Sequence, residues 1–283
     1  MAYDEKISRE DYYIASACGR QVSFHALKDF AADGAAYHRR ITGEDPDPEP
    51  TEEMKLGTAA HTLILEGERA FEETYAVATG PINAKTGRPY GRETKAFQDW
   101  LATQPQDKPF VTDADAKNIR AMRDAVFAND PRTGLPGVAA QLLARGRAEI
   151  AVRFSYRDVE CQSLIDWVNP NYADTGRTAI VDLKTCADVA GFVWYARQAL
   201  YIHQIAFYRT AVEATTGTLA DCYIIAVEKK PRPRVAVFMI PSADLDEASF
   251  WIDEQLDRLH TCRENGVWPT GYEDLRELTL YKK

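Results

Sequence analysis

Long apolar runs are missing from this chain of 283 residues. None approaches the roughly 18 residues that a membrane-spanning helix needs, so no membrane partner is expected. Pairable cysteines are scarce too: Cys18, Cys161, Cys186, Cys222 and Cys262 lie far apart, are odd in number and include no CxxC. That pattern argues against a disulfide scaffold and against a compact structural zinc site. Positive charge is in deficit, with 34 Lys plus Arg against 43 Asp plus Glu and a formal net charge of -9. A protein coated by nucleic acid over most of its surface is usually basic. The deficit excludes general coating, but not a local basic track or a metal that reverses the field at one site. The opening stretch MAYDEKISREDYYIASACGR lacks the basic-then-apolar layout of a secretory signal, and a cytoplasmic protein is expected. No GxGxxG follows a predicted strand, so no Rossmann unit is expected.

What the chain does have is core material, being 45% hydrophobic and 27% charged. This is too apolar for a generally disordered chain. One domain over 1–283 is expected, with a mainly helical part at 1–145, a core at 146–264 and a tail at 265–283. SFHALKDFAADGAAYHRRI predicts a helix interrupted near Asp33 and Gly34, with Ser23 as its cap and Phe24, Leu27 and Phe30 on one face. After the acidic, proline-rich TGEDPDPEPTEE, helical spacing returns in MKLGTAAHTLILEG, where Leu56, Ala60 and Leu63 share a side. The small residues from Gly57 to Ala60 permit close backbone approach beside His61. FEETYAVA predicts a short strand, and GPINAKTGRPYGRETK an exposed basic loop. Helices are predicted over 92–103 and 113–129, then PRTGLPG and a short helical turn ending near Leu143. No segment of this half reads as an internal repeat.

Beyond residue 147 the periodicity changes. AEIAVRFSY alternates Ile150, Val152 and Phe154 and reads as a strand, VECQSLIDWV as its hairpin partner and TAIVDLKT as a third strand. A long helix is predicted over 192–214, followed by the strands ADCYIIAVEK and RVAVFMI across the turn KKPRP, and a helix over 244–264. This order predicts an α/β fold with a central mixed sheet flanked by helices.

Asp182 and Lys184 stand two apart on a predicted strand, so both side chains share a face. That arrangement suits a metal site, with Asp182 giving an oxygen to Mg²⁺ or Mn²⁺ and Lys184 orienting water or stabilising phosphate charge. Asp166, near the end of the preceding strand, offers a second carboxylate. The same residues also read as a strand end and a half-exposed ion pair, a common surface arrangement worth little. His61 reads either as a ligand or as a locally satisfied histidine, and Glu66 as solvent-facing. Tyr201, Gln204 and Tyr208 share one side of the long helix. They suit phosphate or base contacts, or packing against the sheet with Gln204 at its edge.

The ordered set SFHALKDF, GTAAHTLILE, Glu149, LID ending at Asp166, IVDLKT, YIHQIAFY and IIAVEKKPRPRV resembles the nuclease domain of RecE-type exonucleases, within the RecB-like PD-(D/E)XK superfamily. The resemblance implies a nuclease core with a helical N-terminal addition. It implies that His61, Asp166 and Asp182 hold the metal, that Lys184 is the catalytic lysine, and that Glu149 is a supporting acid. Gln204 and Tyr208 match the QxxxY element that contacts DNA in relatives, with Tyr201 beside it. QSLID lacks the basic residue that often precedes the first aspartate, and no cysteine set exists for an iron–sulfur cluster. The implied reaction is Mg²⁺-dependent 5′-to-3′ digestion of linear double-stranded DNA, with Mn²⁺ as a substitute. The implied partners are a single-strand annealing recombinase and further copies of the chain in a trimer or tetramer ring. Lys85, Arg88, Arg92 and Lys95 are expected to face DNA from the basic loop. A related endonuclease or RecB-like repair nuclease, and a noncatalytic scaffold at DNA ends, are the competing readings.

Overall fold

The computed structural model describes residues 7–104 and 108–275. The helical N-terminal part holds α1 (Arg9–Ala17), α2 (Phe24–Ala32), α3 (Gly34–Ile41), α4 (Glu52–His61), α5 (Glu68–Thr74), α6 (Lys95–Leu101), α7 (Asp113–Val126) and α8 (Val138–Leu142). Two short parallel strands, β1 (Ala76–Ala78) and β2 (Phe110–Thr112), pair beside α7. The central sheet runs β3 (Arg147–Tyr156), β4 (Val159–Asn169), β5 (Ala179–Cys186), β6 (Asp221–Glu228) and β7 (Val235–Ile240), in that spatial order. Between β5 and β6 come α9 (Phe192–Gln198) and α10 (Tyr201–Thr216), and α11 (Ser242–Asn265) follows β7.

Local chemistry explains the connections. β3 and β4 are antiparallel across Arg157 and Asp158, both at positive φ, as a tight two-residue hairpin turn requires. β5 and β6 are parallel and therefore need the helical crossover between them. β6 and β7 pair antiparallel across KKPRP. The mixed sheet with flanking helices is thus the expected architecture.

Period-two alternation gives the sheet two buried faces. Ile180, Cys186, Ile224 and Ala226 join one core with residues of α2, α10 and α11. Val181, Leu183, Ile225 and Val227 join a second core with residues of α4, α7 and α8. Each fully buried aliphatic side chain contributes roughly 1.5–3 kcal/mol of transfer free energy.

Several expectations need correction. Residues 71–74 of FEETYAVA belong to α5, so only its end is a strand. The long helix over 192–214 is two helices, broken at Leu200, which adopts φ 61. No proline or glycine marks that break. α1 and β2 have no clear periodicity in the sequence and are additions to the expected elements. Part of the expected tail packs back, with Trp268 stacked on His38 at 4.4 Å, and residues 276–283 lie outside the described residues.

A short internal repeat is also present. Asn83–Pro89 and Asp130–Pro136 form the same turn. In each, the first residue's carbonyl accepts N–H bonds from the Thr and Gly (Thr86 and Gly87, Thr133 and Gly134) and its side chain caps the basic residue (Lys85 or Arg132). The shared text is only [KR]-T-G-x-P, too short to stand out by eye.

Candidate active site

The site lies in a fork of the sheet. β4 and β5 pair at only three positions, Trp167↔Val181, Val168↔Ile180 and Asn169↔Ala179, and then diverge. The next pair in that register is Asp166 opposite Asp182. Asp166 replaces the missing ladder bond with its side chain, Oδ2 accepting the Leu183 N–H at 2.8 Å. One carboxylate thus satisfies a backbone donor and stands at the mouth of the fork.

Two further ligand types converge there. α4 lies close on β5, since a Cβ added at Gly57 would meet Thr185 Oγ1 at 3.3 Å. The small-residue stretch therefore does what its sequence suggests, and the end of α4 carries His61 to 3.6 Å from Asp166 Oδ2 through Nδ1. Glu149 sits across from Asp166 on β3, at the one position of that ladder without a paired partner. Its φ is 52, in the left-handed region, a conformation costing roughly 1–3 kcal/mol for a non-glycine residue. One ligand atom each of His61, Glu149 and Asp166 lies within 4.8 Å of the others.

Burial shapes the protonation of this cluster. Burial, then the Asp166 charge, push Glu149 up to about 7, against the pull of Arg9 at 3.3 Å. Burial raises Asp166 as well. Burial and the Lys184 charge push His61 down to about 4, leaving a neutral imidazole able to ligate at neutral pH. Burial lifts Asp182 to about 6 although Lys184 pulls it down. A nearby positive charge would favour the ionised form of each of these buried acids.

Asp182 and Lys184 do share a face. Asp182 is fully buried, and Lys184 Nζ donates to its Oδ1 at 2.8 Å and to Gln204 Oε1 at 3.0 Å. Gln204 Nε2 donates in turn to the Tyr208 hydroxyl at 2.8 Å. Lys184 Nζ also lies 4.6 Å over the Tyr201 ring. The α10 residues therefore anchor the lysine, and Gln204 and Tyr208 are themselves buried. Asp182 Oδ2 also lies 2.8 Å from Lys184 Nζ, so the ammonium spans both oxygens of the buried carboxylate. His61, Glu149 and Asp166, with the Asp182 carboxylate beside them, make the oxygen-rich donor set preferred by Mg²⁺ or Mn²⁺.

Sequence reading missed Arg9 and underrated Glu66. Arg9 on α1 bridges Glu66, at 2.6 Å, and Glu149, holding the strained acid in place. α4 continues as a π-helical turn, Thr62–Glu66, closed by Gly67 N–H to the Thr62 carbonyl. A regular α-helix would swing Glu66 roughly 140° away from His61. The wider turn brings it back toward the site, and such turns occur often at functional sites. No local sequence signal marks a π turn.

The basic loop is divided. Arg92 is clamped by Glu52 and Asp115, so its charge is spent on joining the loop to α4 and α7. Lys85 and Arg88 lie on the exposed first copy of the repeated turn, and Lys95 opens α6 in solvent.

In overall shape the chain is similar to the crystal structure of a candidate exonuclease from Eubacterium rectale. The TM-score is 0.66 over 97% of this chain and 96% of that one, at 16% identity, a likeness of fold. A second solved structure aligns over 37% of this chain and 48% of its own, with TM-score 0.26 and 12% identity, too partial to support any argument. No curated protein matches the sequence significantly. No described helix is long and apolar enough to cross a membrane. A fork-bound His–Glu–Asp cluster beside an Asp-x-Lys strand is the layout of a PD-(D/E)XK core, and residues 23–277 match the model of the PDDEXK-like domain of unknown function (DUF3799), the family to which this chain belongs.

Proposed function

We propose that the chain is a divalent-metal-dependent deoxyribonuclease of RecE type, which digests linear double-stranded DNA from 5′ ends and leaves 3′ single strands for an annealing recombinase. The observation that carries the reading is Lys184, fixed by Asp182 and Gln204 at the edge of the Asp166 fork. The candidate exonuclease from Eubacterium rectale, alike over nearly its whole length, points the same way.

His61, Glu149, Asp166 and Asp182 would hold Mg²⁺ or Mn²⁺, which when bound supplies Lewis acidity and a lowered pKa for water. Lys184 has three N–H donors and commits two to Asp182 and Gln204, leaving one for the attacking water or a phosphate oxygen. Tyr208 holds the Gln204 amide, which prevents Lys184 from swinging back to Asp182 alone. Arg9 holds Glu149 toward the cluster. Copies of the chain would form a trimer or tetramer ring, with Lys85, Arg88 and Lys95 toward the DNA track.

The test uses 5′- and 3′-end-labelled linear duplex beside a covalently closed circle, in Mg²⁺ and in EDTA. Wild type is compared with Lys184→Ala and Asp166→Asn, each checked for folding by circular dichroism. Mg²⁺-dependent release from 5′ ends, lost in folded variants and absent on the circle, is the expected result. Cutting of the circle would make the enzyme an endonuclease, and inertness across a metal series would leave a scaffold at DNA ends.

A further inference from the structure

α9 is a short helix with an unusual outward face. Phe192 and Ala196 are buried, Phe192 being stacked on Phe238 at 5.3 Å between centroids. Val193, Trp194 and Tyr195 face solvent, and Trp194 is 68% exposed. This is the only run of three exposed large hydrophobic residues among the described residues. Single exposed apolar residues need no explanation, but a contiguous aromatic group marks a contact surface.

The patch is joined to the candidate active site by ring contacts. Tyr195 meets Tyr201 edge-on at 5.8 Å, and Tyr201 lies beneath Lys184 Nζ. Cations flank it. Arg197 is exposed on α9 itself, and its carbonyl accepts the Leu200 N–H while its side chain lies at the surface. The β6–β7 turn, carrying Lys229 and Arg232, is tied to the segment leading into α9: Lys229 N–H donates to the Cys186 carbonyl and Arg234 pairs with Asp188.

We infer that Trp194 and Tyr195 form a stacking platform for unpaired nucleobases, holding the single strand that emerges beside the site. The inference rests on the nuclease reading and names the part of the substrate this face takes. Aromatic side chains bounded by cations match the bases and backbone of a single strand. Three side chains fall far short of the roughly 800 Å² per partner that a stable dimer buries, which sets a second copy of the chain aside as the occupant.

The test measures binding of a fluorescein-labelled dT12 oligonucleotide in Ca²⁺ and in EDTA, against an abasic 12-mer of equal charge. Wild type, Trp194→Ala/Tyr195→Ala, Trp194→Phe and a control at the equally exposed Phe250 (Phe250→Ala, 69% exposed) are compared. The double variant is expected to bind dT12 about tenfold or more weakly. Trp194→Phe and Phe250→Ala stay near wild type, and the abasic strand binds wild type no better than dT12 binds the double variant. Equal binding of base-bearing and abasic strands, or no loss in the double variant, overturns the platform. A dimer seen by sedimentation without DNA and lost in the double variant also overturns it, giving the face to a second copy. Because binding is read without cleavage, a wild type that binds through Trp194 yet cuts nothing sinks the nuclease reading alone. One that cuts but ignores Trp194 sinks the platform alone.

Discussion

The two edges of β5 are built differently. Toward β6 the strand pairs without interruption at eight positions, from Ala179↔Asp221 to Cys186↔Glu228. Toward β4 it pairs at three and then opens. The closed edge places Val181, Leu183, Ile225 and Val227 in an apolar core, while the open edge exposes a backbone donor that Asp166 must satisfy and gathers Glu149 and Asp166 around His61. Cohesion and chemistry thus lie on opposite sides of a single strand. The polar cluster stays in register because the closed edge fixes the strand that carries Asp182 and Lys184.

The largest effect should come from the open edge. Asp166→Asn keeps an oxygen for the Leu183 N–H but loses the ligand charge. It is expected to lower cleavage on the order of 100-fold or more with the fold retained, read by initial rates on linear duplex. At the closed edge, Ile225→Ala removes a fully buried side chain and should cost about 2–5 kcal/mol in urea unfolding, while folded enzyme still cuts. If that variant lost catalysis without losing stability, the division between the edges would fail.

A third prediction concerns pH without metal. Glu149 titrates near 7 in the fold against its ordinary 4.5, and Asp182 is raised likewise. Between those values the folded chain keeps a proton that the unfolded chain has released, so stability falls as pH rises through the window and is fully present below it. Melting in EDTA should therefore be lower at pH 7.5 than at pH 5, and Glu149→Gln should flatten the difference. A dependence unchanged in Glu149→Gln would show that other groups set it. The smallest effect is at the α4–β5 contact. Gly57→Ala gains helix propensity but brings a methyl against Thr185, so thermal unfolding should shift by less than about 1 kcal/mol. Gly57→Leu, with a larger side chain against Thr185, should push α4 and His61 outward and reduce cleavage.

Much of the closed edge was legible in the sequence, and only part of the open one. The strands at β5 and β6 announce themselves by alternation, and period two alone puts Asp182 and Lys184 on one face. The cap at Ser23 and the break at Asp33 are local events and were read locally. Arg9 was not legible, because the acids it joins lie 57 and 140 residues further along the chain. Neither was the left-handed backbone of Glu149, which the tertiary setting imposes on a residue with no intrinsic preference for it. The π turn and the reversal at Leu200 escaped for the same reason: apolar spacing runs through both. Arg92 shows the converse error, since an exposed basic residue in sequence is a neutralised clamp in the fold.

Leu200 has one more consequence. Its left-handed conformation costs roughly 1–2 kcal/mol, and a glycine would avoid that, yet its side chain packs on the core. Lys28 Nζ donates to the Ala199 carbonyl just before it, and Phe192 is pinned at the other end of α9. Both ends of the short helix are therefore fixed before any strand arrives. The backbone that presents its side chains loses little further freedom on contact, so that part of the ordering entropy has already been surrendered in folding.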